Sequence, residues 1–196
     1  MPDALSEGAD MQVMDLDPPD ERRVHQAAEV LAAAFPGEHH PGGWAHLPDA
    51  LAEVRESFGS GHLSLVAIEG DAVVGWIGGS RHYHGNTWEL HPLAVHPGWQ
   101  RRGIGRALVD ALEARVRAEG GQNIWLTTDD DTGETSLAGQ PLYPDVLAGL
   151  ATLRADGGRV SFYLSLGYSL TGGIPDAYAP GHHELVFAKR LETRIS

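Results

Sequence analysis

The chain has 196 residues, with 14 Lys plus Arg against 27 Asp plus Glu, giving a formal charge of −13 with His neutral. That balance supplies no global reason to sit on nucleic-acid phosphates or an anionic membrane, both of which reward a basic face, and it favours cationic partners. Hydrophobic residues at 42% and charged residues at 21% exclude general disorder and fit one folded domain.

In chain order, residues 1–10 are small and acidic and read as a flexible N-terminus ahead of a single domain over 11–196. They lack the basic-then-apolar layout of a signal peptide, and no apolar run reaches the ~18 residues a membrane span needs, so a cytoplasmic location is expected. Gln12 to Asp17 reads as a short strand halted by Pro18 and Pro19. From Asp20, a candidate N-cap, Val24, Ala27, Ala28, Leu31 and Ala34 recur at helical spacing up to Pro36. Trp44 to Phe58 predicts a second amphipathic helix with Pro48 in its first turn. Leu63–Glu69 and Ala72–His82 form a predicted hairpin across Gly70-Asp71, and Thr87–Val95 a third strand.

His96-Pro97-Gly98 ends that strand, and Gly103–Glu119 predicts a helix with Ile104, Leu108, Leu112 and Val116 on one face. Gly120-Gly121 stops it. Asn123–Thr127 reads as a strand, Asp145–Leu153 as a helical patch, Ser161–Leu166 as a short helix, Gly167-Tyr168 as a strand start and His183–Ala188 as a last strand. This order argues for one α/β, or mixed α+β, domain. There is no Cys, which excludes disulfides, thiolate metal sites and a Cys nucleophile.

The most informative stretch is Val95-His96-Pro97-Gly98-Trp99-Gln100-Arg101-Arg102-Gly103-Ile104-Gly105-Arg106. A strand ends there, a tight turn with glycines follows, and an apolar-faced helix opens. Unpaired N–H groups at a helix start, the positive end of its dipole and three arginines in an acidic chain suit a pyrophosphate. The plainer reading is a glycine turn capping a helix among solvated arginines. The dinucleotide fingerprint fails because position 108 is Leu, and no G-K-[ST] triplet is present for a P-loop.

What fits is Gln-x-x-Gly-x-Gly, which resembles the acyl-CoA signature of the GNAT superfamily of N-acetyltransferases. The resemblance extends to further blocks: Trp88-Glu89-Leu90-His91-Pro92-Leu93-Ala94-Val95, Thr128-Asp129-Asp130, Thr135-Ser136-Leu137 with Leu142-Tyr143, Phe162-Tyr163 with Leu166-Gly167-Tyr168, and Ile174-Pro175-Asp176 ahead of Ala188-Lys189. Together these are similar to the chromosomal branch of the aminoglycoside 6′-N-acetyltransferases. The chain departs from that branch at Thr127, His39–Trp44 and Tyr178–His183, regions that border the acceptor in the family.

The resemblance implies a GNAT fold: a central mixed, mostly antiparallel sheet flanked by helices, with splayed strands holding acetyl-CoA. It implies an enzyme that moves acetyl from acetyl-CoA to the 6′-amine of an aminoglycoside by direct attack in a ternary complex, working as a homodimer. Cofactor contacts carried over are Leu93, Ala94 and Val95 for thioester and pantetheine, Gln100, Arg101, Arg102, Gly103, Ile104, Gly105 and Arg106 for pyrophosphate, and Tyr163 beside the sulfur. The catalytic set is Glu89 as base or amine-positioning group, the Leu93 N–H as oxyanion donor, and Tyr163 as proton donor. Glu89 alternates with Trp88 and Leu90, so a solvent-facing strand Glu is the competing reading.

The acceptor set is Trp44, Glu89, His91, Asp129 and Asp130. From Ala118 to Leu153 the chain has no Lys or Arg but contains Glu119, Asp129, Asp130, Asp131, Glu134 and Asp145, a distribution that would focus a polycation. A solvated acidic loop is the alternative. His39-His40, His82-x-His84 and His182-His183 lack a partner at diagnostic spacing, and acyl transfer needs no metal, so none is expected. Two rivals remain open from sequence: an acetyltransferase for another cationic amine (polyamine, metabolite or protein N-terminus), and a weakly catalytic acyl-CoA or drug-binding module.

Overall fold

The computed structural model describes residues 11–37, 43–130 and 133–191. The expected flexible segment 1–10, His39, His40 and Asp131 lie outside the described residues. The chain divides into two compact units, one running to Gly85 and resuming over Leu90–Gly120, the other made of Asn86–Glu89 and the chain from Gly121 onward.

In the first unit, strand β1 (Gln12–Asp15) pairs antiparallel with β2 (His62–Glu69), and β2 with β3 (Ala72–His82). The hairpin turns at Gly70, whose φ of +60° suits a residue without Cβ. Helix α1 (Glu21–Ala34) starts at Asp20, whose carboxylate accepts the Arg23 N–H at 3.1 Å. Helix α2 covers Leu47–Glu56, narrower than the predicted Trp44–Phe58. Pro48 has no N–H to give and fits only in the first turn, so the helix cannot reach back to Trp44. Trp44 instead joins a buried cluster with Val24, Leu31, Ala50, Val54, Val66 and Trp76.

Helix α3 (Ile104–Ala118) buries Ile104, Leu108, Leu112 and Val116, the predicted stripe. Two glycines in β3 let its neighbours approach. A Cβ at Gly75 would meet Leu108 Cδ1 at 2.9 Å and Ile104 Cγ2 at 3.0 Å, and one at Gly78 would overlap the His91 carbonyl oxygen.

In the second unit, Thr87–Glu89 open strand β4 (Thr87–Val95) and pair in parallel with Asn123–Trp125 of β5 (Asn123–Asp129). Strand β5 pairs antiparallel with β7 (His182–Arg190), and β7 with β6 (Ser169–Ala179). Because β5 runs two residues past its predicted end, Thr128 and Asp129 belong to the strand rather than the loop. Helix α4 (Val146–Leu150) is capped by Asp145, which accepts the Ala148 N–H at 3.2 Å. Helix α5 (Gly158–Ser165) starts three residues before its predicted Ser161.

Across the chain the strand order is β1-β2-β3-β4-β5-β7-β6, with β4 contributing to both units. The expected mixed, mostly antiparallel sheet flanked by helices is the architecture found. Gly172, Gly173 and Pro175 concealed the length of β6, but as an edge strand it tolerates them, with register shifts on either side. Among the described residues no helix is long and apolar enough to cross a membrane.

Candidate active site

The strand–turn–helix of the first unit is built largely from backbone. On β4, Ala94 is buried while Leu93 and Val95 are half-buried on the alternate face. The His96 N–H donates to the Val74 carbonyl at 3.0 Å, fixing where the strand ends. A 3-10 turn over Pro97–Trp99 follows, and the Gln100 side-chain amide donates back to the Val95 carbonyl at 3.1 Å. Gln100 therefore ties the turn to the strand end.

Arg101 and Gly103 both have left-handed backbone, at φ +64° and +84°, and Gly103 is the N-cap of α3. Gly103 has no side chain to cap this helix, and no acid occupies its first turn. Its opening N–H groups thus receive no side-chain acceptor from the N-cap position, at the positive end of the dipole. Ile104 has its side chain in the core, so it can contribute only its amide. Arg101, Arg102 and Arg106 are exposed around this start, with the Arg102 guanidinium 4.6 Å from the Trp99 ring. Three cations and an uncapped helix start fit a pyrophosphate-bearing molecule.

Trp44 and His91, far apart in sequence, meet in the first unit with ring centroids 5.3 Å apart. Trp44 is 5% exposed, packs edge-on against Phe35 and donates its indole N–H to Glu53 at 3.3 Å. It is a core residue with one ring contact to an exposed histidine, so His91 is the more accessible member of the pair.

In the second unit Glu89 is half-buried on the β4 face alternate to buried Trp88 and Leu90. It lies opposite Trp125, at the last recorded rung of the β4–β5 ladder. Tyr163, on α5, is 9% exposed and stacks edge-on with Phe162 at 5.1 Å and Tyr168 at 5.8 Å. Burial pushes its phenol well above the ordinary tyrosine value, with the nearby Arg159 guanidinium pulling partly back. The hydroxyl is therefore protonated throughout the neutral range, the state a proton donor requires.

The acidic stretch turns out to be largely committed inside the unit. Asp129 is 9% exposed and pairs with Arg159 at 2.5 Å. Glu134 accepts the Arg159 N–H at 2.8 Å and also pairs with its guanidinium at 3.5 Å. Asp130 is 2% exposed and accepts the Thr135 hydroxyl through Oδ2, while its Oδ1 has no hydrogen-bond partner among the described residues. The base-free stretch thus finds its cation just beyond its end, at Arg159. Asp129, Asp130 and Glu134 are therefore not freely solvated, which disfavours for them the alternative of a solvated acidic loop.

Several residues here were not singled out by sequence. Glu184 sits directly across from Asp129 in the β5–β7 register, an unfavourable like-charge pair unless each carboxylate has its own partner. Arg159 serves Asp129, and the Tyr178 hydroxyl donates to Glu184. Desolvation first, then that hydrogen bond, raises the Tyr178 phenol above its ordinary value. His183 is fully buried, with Nδ1 accepting the Asp176 N–H at 3.0 Å and Nε2 at 2.9 Å from the Gln140 carbonyl. With Nδ1 an acceptor, Nε2 carries the proton and donates to Gln140. The sequence signals for this group were that Tyr178–His183 departs from relatives and that His182-His183 is a paired histidine, weighed above only for metal. Among the described residues no group of three or more His, Asp or Glu side chains is placed to hold a metal ion.

A buried phenol held protonated, a half-buried carboxylate on a strand and an uncapped, arginine-rimmed helix start are parts suited to acyl transfer from a phosphate-bearing carrier. The acetyltransferase (GNAT) family model matches residues 24–140, more than half of the chain, and this protein belongs to that family of acetyltransferases. Among solved structures the chain is similar to an aminoglycoside 6′-N-acetyltransferase complexed with coenzyme A, at 28% identity and TM-score 0.83 over 94% of this chain and 99% of that one. The aminoglycoside 6′-N-acetyltransferase from Enterococcus faecium gives 28% identity and TM-score 0.82 over the same shares. An aminoglycoside 6′-acetyltransferase type Ii gives 27% and 0.72 over 93% and 99%. No curated protein sequence matches the chain.

Proposed function

We propose that this acetyltransferase moves acetyl from acetyl-CoA to the 6′-amine of aminoglycosides. The observation that carries the reading is the likeness, at 27–28% identity and over nearly the whole of both chains, to three structures of enzymes with that activity. The net charge of −13 also favours a polycationic acceptor. A role in antibiotic resistance, a cytoplasmic location and a homodimeric working form belong to the same proposal.

Acetyl-CoA supplies the activated acyl group. The Arg101, Arg102 and Arg106 side chains and the amides opening α3 hold its pyrophosphate, with Gly103 keeping the entry to the helix free of a side chain. Gln100 braces that turn. The end of β4 at Leu93, Ala94 and Val95 offers backbone to the pantetheine, and the Leu93 N–H donates to the thioester oxygen as charge develops. Glu89 takes a proton from the substrate ammonium, directly or through one water, and so frees and orients the neutral amine that attacks. The amine nitrogen bonds to the acetyl carbon as the carbon–sulfur bond breaks, the nitrogen releases its second proton to solvent, and Tyr163 gives its phenolic proton to the departing sulfur.

His91, backed by Trp44, lines the acceptor side of β4. Asp130, through Oδ1, receives a substrate ammonium, while Asp129, balanced by Arg159, contributes less.

CoA thiol release by purified protein over a panel of aminoglycosides, polyamines and peptides tests the proposal. Turnover confined to aminoglycosides bearing a 6′-amine is expected, with product analysis placing the acetyl on that nitrogen. Turnover confined to polyamines or peptides, or binding without thiol release, overturns it.

A further inference from the structure

Helix α5 places Arg159 and Tyr163 four residues apart, hence one turn apart on one side of the helix. Arg159 is held from two directions. Asp129, at the end of β5, takes its guanidinium at 2.5 Å, and Glu134 takes the guanidinium at 3.5 Å and the backbone N–H at 2.8 Å. The preceding residue, Gly158, has φ +67°, and a Cβ there would overlap the Glu134 carboxylate. The glycine is thus what admits this clamp. Two largely buried carboxylates spent on one arginine exceed what capping a short helix requires, since Glu134 alone does that.

A buried phenol that gives up its proton leaves a phenolate in a site that penalises charge. A guanidinium stays protonated at every working pH, so held nearby it offsets that penalty without a proton transfer of its own. Placed one turn before Tyr163 on α5, the Arg159 charge favours proton loss from the phenol, against the burial that opposes it.

We infer that Arg159 is a positioning residue for proton donation by Tyr163: the Asp129–Glu134 clamp fixes its guanidinium one helical turn away, where it stabilises the phenolate left behind. The inference rests on the reading of Tyr163 as the acid. In the step concerned, the carbon–sulfur bond breaks with its electron pair on sulfur, the Tyr163 proton forms S–H, and solvent later reprotonates the phenolate.

The test is a double-mutant cycle measured with acetyl-CoA and kanamycin A, or, should that give no thiol release, with the panel amine that releases it fastest. Tyr163→Phe is expected to lower kcat about 10²-fold. Arg159→Met should lower it about tenfold with the KM for acetyl-CoA within about twofold, and Arg159→Lys should recover most of that loss. The double variant should be no slower than Tyr163→Phe alone. If Arg159→Met does not fold, Glu134→Gln loosens the clamp and is carried through the same cycle, where a loss of about threefold should vanish in the Tyr163→Phe background.

An equal fractional loss in both backgrounds makes Arg159 a purely structural residue and overturns the inference. Undiminished turnover in Tyr163→Phe overturns the acid reading itself, and the inference falls with it. The two failures are thereby distinguished.

Discussion

The strand–turn–helix of the first unit and the clamp around α5 in the second do their work with different parts of the chain. Around Gly103 the backbone carries the chemistry, with amides at an uncapped helix start and two left-handed residues shaping the turn. Around Arg159 side chains carry it, with Asp129, Glu134, Arg159 and Tyr163 drawn from a strand, a loop and a helix. A site made of backbone depends on local conformation and steric room. A site made of side chains depends on which distant charges have been brought together. Substitutions that remove room should therefore damage the first region, and substitutions that remove charge or a hydroxyl should damage the second.

The largest effect is expected at Gly78, where an added methyl meets backbone that cannot yield. Gly78→Ala should cost about 3 kcal/mol of unfolding free energy in urea. Gly75→Ala meets the Leu108 and Ile104 side chains first, with the Ala94 carbonyl oxygen farther off at 3.3 Å, and should cost less, about 1 kcal/mol. Equal costs at the two positions would break the argument that backbone contact decides this packing.

Next comes Gly103→Val, which forces a β-branched residue to φ +84° at a strain of roughly 1–2 kcal/mol. Calorimetry should show acetyl-CoA affinity reduced about tenfold, with turnover at saturating acetyl-CoA little changed. A fall in saturated turnover instead would mean that the two regions cannot be separated functionally.

Glu134→Ala removes the α5 cap and half of the clamp. A cost of about 1 kcal/mol, or about 2–4 °C in Tm, is expected, with acetyl-CoA affinity unaltered. The smallest effect concerns pH. Burial raises the folded-state pKa of Tyr163, so the native protein keeps that proton when the unfolded chain has lost it. The associated stability is full below about pH 10 and is lost as pH rises above it. Tyr163→Phe should flatten this part of an alkaline unfolding profile, and an unchanged slope would contradict the burial assigned to the phenol.

Much of the fold was legible because its signals are local. The hairpin across Gly70-Asp71 and strand β4 fall where the alternating pattern puts them, and the stripe of α3 follows its 3.6-residue period. The start of α5 was not legible, because the acceptor for its first amides is Glu134, 25 residues earlier in the chain. The long β6 was hidden by Gly172, Gly173 and Pro175, which read as breakers until an edge position makes them tolerable. Trp44 was legible as an aromatic near the acceptor segment, but only packing shows it buried against Phe35 with a face to His91.

The sequence by itself determined the glycine-and-arginine turn before α3, the alternation that puts Glu89 and His91 on one face of β4, and the family resemblance those blocks carry. These depend on backbone preference and short-range periodicity, which residue order encodes directly. Only the tertiary structure decided the fate of the acids. It gave Asp129 and Glu134 to Arg159, Glu184 to Tyr178, and left one oxygen of Asp130 without a hydrogen-bond partner among the described residues. The chain's charge of −13 counts carboxylates, but the energy of each depends on its partners and its burial, and those are set by contacts between residues far apart in the chain.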